Sequence, residues 1–119
     1  EIVKMGGIKV VLTLMKRHTE SEEIQHDSSE VLYHIIEGRK KYVSQITDFG
    51  GFSIILGAMK KYPSVAAIQE NACFLFSQGI HPIPDVESAY EGMIQRVLEA
   101  LRNHPDDKEL QEEALGLLL

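Results

Sequence analysis

Cysteine is almost absent from this chain. Cys73 stands alone among 119 residues, so no internal disulfide can form and a reducing, cytoplasmic setting is the first expectation, with nuclear residence the alternative. Basic residues are scarce as well. Twelve Lys and Arg face eighteen Asp and Glu, a net charge of −6, whereas a nucleic-acid binder normally carries a basic surplus. No apolar run approaches the ~20 residues of a membrane span, so no membrane partner is expected. The glycine pairs Gly6-Gly7 and Gly50-Gly51 lack the Gly-x-Gly-x-x-Gly or Gly-Lys-Ser surroundings of a phosphate cradle. Nowhere does the chain alternate as a strand would. It opens Glu1-Ile2-Val3 and closes Leu117-Leu118-Leu119, which reads as an excerpt of a longer protein with apolar ends open to self-association. What remains, 44% hydrophobic and 25% charged, is the balance of one folded domain.

That domain repeats itself. Gly7-Ile8-Lys9-Val10-Val11-Leu12-Thr13-Leu14-Met15-Lys16 recurs from Gly51 to Lys60 and again from Met93 to Arg102. The same register carries Ile24-Gln25 onto Ile68-Gln69 and Leu110-Gln111. Three units follow, about 1–38, 39–81 and 82–119. In each, apolar residues fall at i, i+3, i+4 and i+7: Ile8, Val11, Leu12, Met15; then Phe52, Ile55, Leu56, Met59; then Ile94, Val97, Leu98, Leu101. This is one face of a helix. A second helix repeats the spacing through Leu32, Phe76 and Leu118, with Ser28, Ala72 and Ala114 small enough to let a neighbour approach. Between units, Arg39–Phe49 predicts a short helix stopped at Gly50-Gly51. Pro82 and Pro84 force extended chain before a comparable segment in the third unit. The fold class is all-α.

A short helix, a Gly-Gly turn, a helix reading Ile-x-x-Val-Leu or Ile-Ile-Leu, and a helix opening Ile68-Gln69-Glu70-Asn71-Ala72 together resemble the armadillo repeat. The endings Met59-Lys60-Lys61-Tyr62-Pro63 and Leu101-Arg102-Asn103-His104-Pro105 are most similar to repeats in the armadillo region of leucine-rich-repeat kinases. The resemblance implies a right-handed superhelix, an α-solenoid of two and a half to three units, whose third helices line a groove that binds peptides or partner domains. It therefore implies a non-catalytic interaction scaffold, with a regulatory segment of a larger enzyme such as a leucine-rich-repeat kinase as the alternative. Peptide-binding members carry a Trp and an Asn late in the third helix. Tyr33 and His34 stand there in the first unit, and Ser77 and Gln78 in the second; the chain has no Trp.

The groove positions so assigned are His26, Asp27, Glu30, Tyr33, His34 and Glu37, then Glu70, Asn71, Phe74, Ser77 and Gln78, then Glu112, Glu113 and Gly116. They hold six carboxylates and no Lys or Arg, which suits a basic protein or peptide partner. Tyr33 and Phe74 are the expected apolar anchors. His26, Glu30 and His34 fall four residues apart on one helix, but a helix drifts about 80° over eight residues. No second ligand cluster completes a metal site. Cys73, beside the apolar stripe, is expected as a packed thiol. His18, Tyr62 and His104 share one repeat position, where a His caps helix carbonyls. No cofactor and no catalytic constellation is read.

Overall fold

The structure, a computed structural model, describes residues 2–119, and among them every regular element is helical. Three helical hairpins follow one another: α1 (Gly7–Arg17) with α2 (Glu22–Ile36), α4 (Gly51–Lys61) with α5 (Ala66–Ser77), and α6 (Glu87–Asn103) with α7 (Lys108–Leu118). A single 3₁₀ turn at Lys40–Tyr42 leads into the short α3 (Val43–Asp48). Helices α2, α5 and α7 lie side by side as one layer, α5 in the middle, and α1, α4 and α6 form the other. No helix among the described residues is long and apolar enough to cross a membrane.

The local reasons are conventional. Ser21 and Asp107 precede α2 and α7, and their side chains accept the N–H of Ile24 and Leu110, each at 3.1 Å, which satisfies otherwise unpaired first-turn donors. Gly50 enters α4 with φ +79°, and a Cβ on Gly51 would sit 2.6 Å from the Ile46 carbonyl oxygen. The Gly-Gly pair is thus required twice over, by a left-handed turn and by the close crossing of α3.

The third unit departs from the expected plan. No separate short helix follows the prolines; α6 runs unbroken for 17 residues. Gly92 and Met93 hold the places of Gly50 and Gly51, and with no short helix crossing there a full side chain fits. The buried face of α6 is also turned from the one expected. Met93, Val97 and Ala100 are buried, while Ile94 and Leu98 are 40% and 38% exposed and Leu101 is half-buried.

One core runs through both layers. It includes Ile8, Leu12, Leu32, Ile46, Ile55, Ile68, Leu75, Val97 and Leu110, with Ser28, Ala72 and Ala114 buried where neighbouring helices meet. Inside it lie two glutamines. Gln25 donates from Nε2 to the carbonyls of Met15 and His18 at 3.0 and 2.8 Å. Gln69 does the same to Met59 and Tyr62 at 3.1 and 3.0 Å, and the half-buried Gln111 to Leu101 and His104 at 3.3 and 2.8 Å. Each amide ties the last carbonyls of one helix to the second turn of the next. The units are joined at the same corner. The Tyr62 hydroxyl donates to the Thr19 carbonyl at 2.7 Å, and His104 Nε2 to the Pro63 carbonyl at 2.8 Å. These side chains bond the turn of the preceding unit rather than their own helix end, which corrects the capping role expected for the His there.

Gln69→Ala leaves the buried Met59 carbonyl without its donor, while the Tyr62 carbonyl keeps the Val65 N–H at 3.2 Å, and is expected to cost about 2 kcal/mol in urea unfolding, with Gln111→Ala costing less. A loss below about 0.5 kcal/mol for Gln69→Ala would remove the glutamine from this structural role.

Candidate functional site

Along the layer of α2, α5 and α7, side chains from all three helices line an open cavity of about 340 Å³. Glu30, Tyr33 and His34 come from α2, Glu70 and Asn71 from α5, and Glu109, Glu112 and Glu113 from α7. Their convergence follows from the repeat: Glu70 and Glu112 occupy equivalent positions on adjacent helices, as do Asn71 and Glu113. The lining holds five carboxylates, one imidazole and no Lys or Arg.

Seven of the sequence-derived groove residues meet here: Glu30, Tyr33, His34, Glu70, Asn71, Glu112 and Glu113. Asn71 differs from expectation, being 7% exposed. Its Nδ2 donates to Ser29 Oγ at 3.1 Å, and Ser29 Oγ donates to the His26 carbonyl at 2.9 Å. Its amide is therefore spent joining α5 to α2. Glu109 was missed, although it stands three and four residues before Glu112 and Glu113, on the same helix face.

The other groove candidates lie outside the cavity lining. His26 Nδ1 pairs with Asp27 Oδ1 at 2.8 Å. Ser77 Oγ donates to the Phe74 carbonyl at 2.6 Å, and the Gln78 amide reaches Ser77 Oγ at 3.4 Å. Glu37 and Gly116 are exposed. Phe74 and Tyr33 are half-buried against each other, ring centroids 4.3 Å apart. The two expected anchors thus form one aromatic bridge between α2 and α5, with His34 edge-on to Tyr33 at 5.3 Å. Among the described residues no group of three or more His, Cys, Asp or Glu is placed to hold a metal.

Crowded acids perturb one another. Burial, then a hydrogen bond to Asp107 and the charges of Asp107 and Glu109, push the Glu70 carboxyl up to about 7. Asp107 moves the opposite way, held down first by that hydrogen bond and also by the Leu110 N–H it accepts. The coupling favours a neutral Glu70 beside a charged Asp107, the arrangement in which one proton serves the pair. Burial and the neighbouring Glu112 raise Glu113. Burial, a hydrogen bond to Glu37 and the charges of Glu113 and Glu109 raise the Tyr33 phenol. Chemically the cavity is an anionic pocket with an aromatic wall and no Lys or Arg in its lining.

Residues 13–119 match the family model described as "Protein zer-1 homolog-like, C-terminal domain". The chain belongs to this zer-1 homolog-like family. The leucine-rich-repeat kinase subfamily expected from the repeat endings is not the one the match supports. Within the curated relatives, "Protein aardvark" of Dictyostelium discoideum is 30% identical over 112 residues, covering 83% of this chain and 15% of that protein. The zer-1 homolog-like chain thus spans a small part of that relative's length. No solved structure matches it.

Two outcomes follow from the site's titration and burial. The folded pKa of Glu70 lies above its ordinary 4.5. The protonated carboxyl therefore contributes stability that is full below about 4.5 and lost as pH rises through about 7. Glu70→Gln, which stays neutral, is expected to melt several degrees above the wild type at pH 8 and to lose that margin at pH 5; equal margins at both pH values would contradict the shared proton. Cys73 is fully buried and its thiol is pushed up to about 12, by burial first and by Glu113 second. It should resist a thiol reagent such as DTNB in the native protein and react at once in urea.

Proposed function

We propose that the chain is a non-catalytic protein-interaction module that takes a basic segment of a partner protein into the cavity between α2, α5 and α7. The observation carrying this reading is the convergence of five carboxylates from three helices with no Lys or Arg among them. Packed like charges raise one another's cost of ionisation. A Lys or Arg side chain entering the cavity relieves that repulsion, and the guanidinium or ammonium finds carboxylates on every side. The Tyr33 ring offers the aliphatic part of such a side chain an apolar wall. Preformed pockets on a rigid helical layer reduce the ordering cost of binding.

The three units, about 1–38, 39–81 and 82–119, are proposed as armadillo-type repeats of a right-handed superhelix, and the cavity as part of its groove. Three equivalent glutamine ties and two equivalent turn-to-unit bonds support a modular repeat, and membership of the zer-1 homolog-like family supports an interaction role. His26, Asp27, Phe74, Ser77 and Gln78 then flank the pocket along the same layer and contribute rim contacts rather than the central charge.

Binding of a cation stabilises the ionised form of Glu70, so it displaces the proton and grows tighter as pH rises through about 7. The test uses an Arg- and Lys-containing peptide followed by isothermal titration calorimetry at two salt concentrations and in two buffers of different ionisation enthalpy. Glu30→Lys with Glu112→Lys, both exposed positions, is expected to weaken binding at least about tenfold and to flatten the salt dependence. Binding that is indifferent to both substitutions and to pH between 6 and 8 would exclude the cavity as the site.

A further inference from the structure

The opposite layer carries a second surface of the reverse charge. Two apolar clefts flank α4. One, of about 350 Å³, lies between α4 and the proline-containing loop and is lined by Leu56, Pro82, Ile83 and Lys60 among others. The second, of about 390 Å³, lies between α4 and α1 and is lined by Met15, Ile54, Lys16 and Lys61 among others. No carboxylate lines either cleft. Lys61 is paired with Glu20 at 2.8 Å on the exposed surface; among the described residues Lys16 and Lys60 have no ion-pair partner.

Ser53 and Gly57 line both clefts and form the saddle between them. Gly57 sits inside α4, where glycine is less favourable than alanine. Nothing local requires it: its φ is not positive, and an added Cβ would meet no atom within 4 Å. The first and third units place Thr13 and Glu99 at the equivalent position. The glycine therefore lowers helix propensity with no packing contact in return. Here the missing side chain leaves the passage between two apolar clefts open.

We propose that this face of α4 docks an acidic segment of a partner protein, which seats one bulky apolar side chain in each cleft and lays its backbone over Gly57. Clefts on either side of one helix lie about a helix diameter, ~10 Å, apart. That spacing equals seven residues along a helical ligand. The unpaired Lys16 and Lys60 then meet carboxylates on the ligand, so the surface selects acidic over basic segments.

The probe is a fluorescent 14-residue helical peptide rich in Glu, with Leu at two positions seven apart. Its controls replace each Leu by Ala, or every Glu by Lys. Anisotropy should show binding of the acidic two-Leu peptide, a drop of about fivefold or more for each Leu→Ala, and none for the Lys version. Gly57→Glu, which fills the saddle with a like charge, is expected to weaken binding at least about tenfold. Gly57→Ala should bind within about twofold of the wild type while melting no lower. Melting curves confirm that the Glu variant is folded, and Glu30→Lys with Glu112→Lys should retain binding of the acidic probe. Absence of binding by that probe, equal binding of the Lys peptide, unchanged affinity in a folded Gly57→Glu variant, or a face that instead closes on a second copy in sedimentation would each overturn the proposal.

Discussion

Everything in this structure hangs on a corner. Where the first helix of each hairpin ends, its last carbonyls point into a place the next helix must cover. Carbonyls buried without donors would cost more than the packing there returns. One side-chain amide solves this three times, as Gln25, Gln69 and Gln111 each bridge two carbonyls of the preceding helix end. The angle of every hairpin is thereby set from inside. With the same tie at each corner, α2, α5 and α7 fall side by side. Equivalent residues on successive helices then become neighbours in space. The acidic cavity is a consequence of that stacking and has no existence within a single unit.

The corner also couples the units to each other. Tyr62 and His104 reach back to the turn of the hairpin before them, and Asn71 joins α5 to α2 through Ser29. These polar links cross the boundaries that the hydrophobic core already spans, so each unit draws its stability from its neighbours. Burial of Asn71 and Cys73 beside the cavity gives that wall a firm backing. The carboxylates in front of it stay crowded because their helices cannot relax apart. Repulsion of Glu113 by Glu112, and of Glu70 by Asp107 and Glu109, is in this sense a product of the packing behind them.

Much of the fold is legible in the residues. The spacing of Ile8, Leu12 and Met15, its recurrence 44 and then 42 residues on, and the alignment of the three glutamines locate every hairpin and the core face of the first two. Gly50-Gly51 marks the α3–α4 crossing. Less legible is the third unit, where the repeat register carries a short helix into the segment after Pro82 and Pro84. With no crossing segment, nothing interrupts α6, and its buried face follows Met93, Val97 and Ala100 instead of Ile94 and Leu98. The role of the glutamines is equally hidden, since a polar residue in helical register reads as solvated until its carbonyl partners are seen. Seven groove positions come together in the cavity, yet their helical spacing alone cannot separate Asn71, whose amide is consumed internally, from Glu70, whose carboxyl faces the pocket.

By itself, the sequence determined the helical class, the recurrence of a helical hairpin, the acidic character of one face and the seclusion of its single thiol. All of these follow from local periodicity and composition. The tertiary structure decided which acids stand close enough to share a proton and which aromatic rings pack on each other instead of on a ligand. It also decided that Gly57 opens a saddle between two clefts. Those outcomes depend on distances between helices, and such distances arise only when the hairpins have been fixed at their corners and stacked.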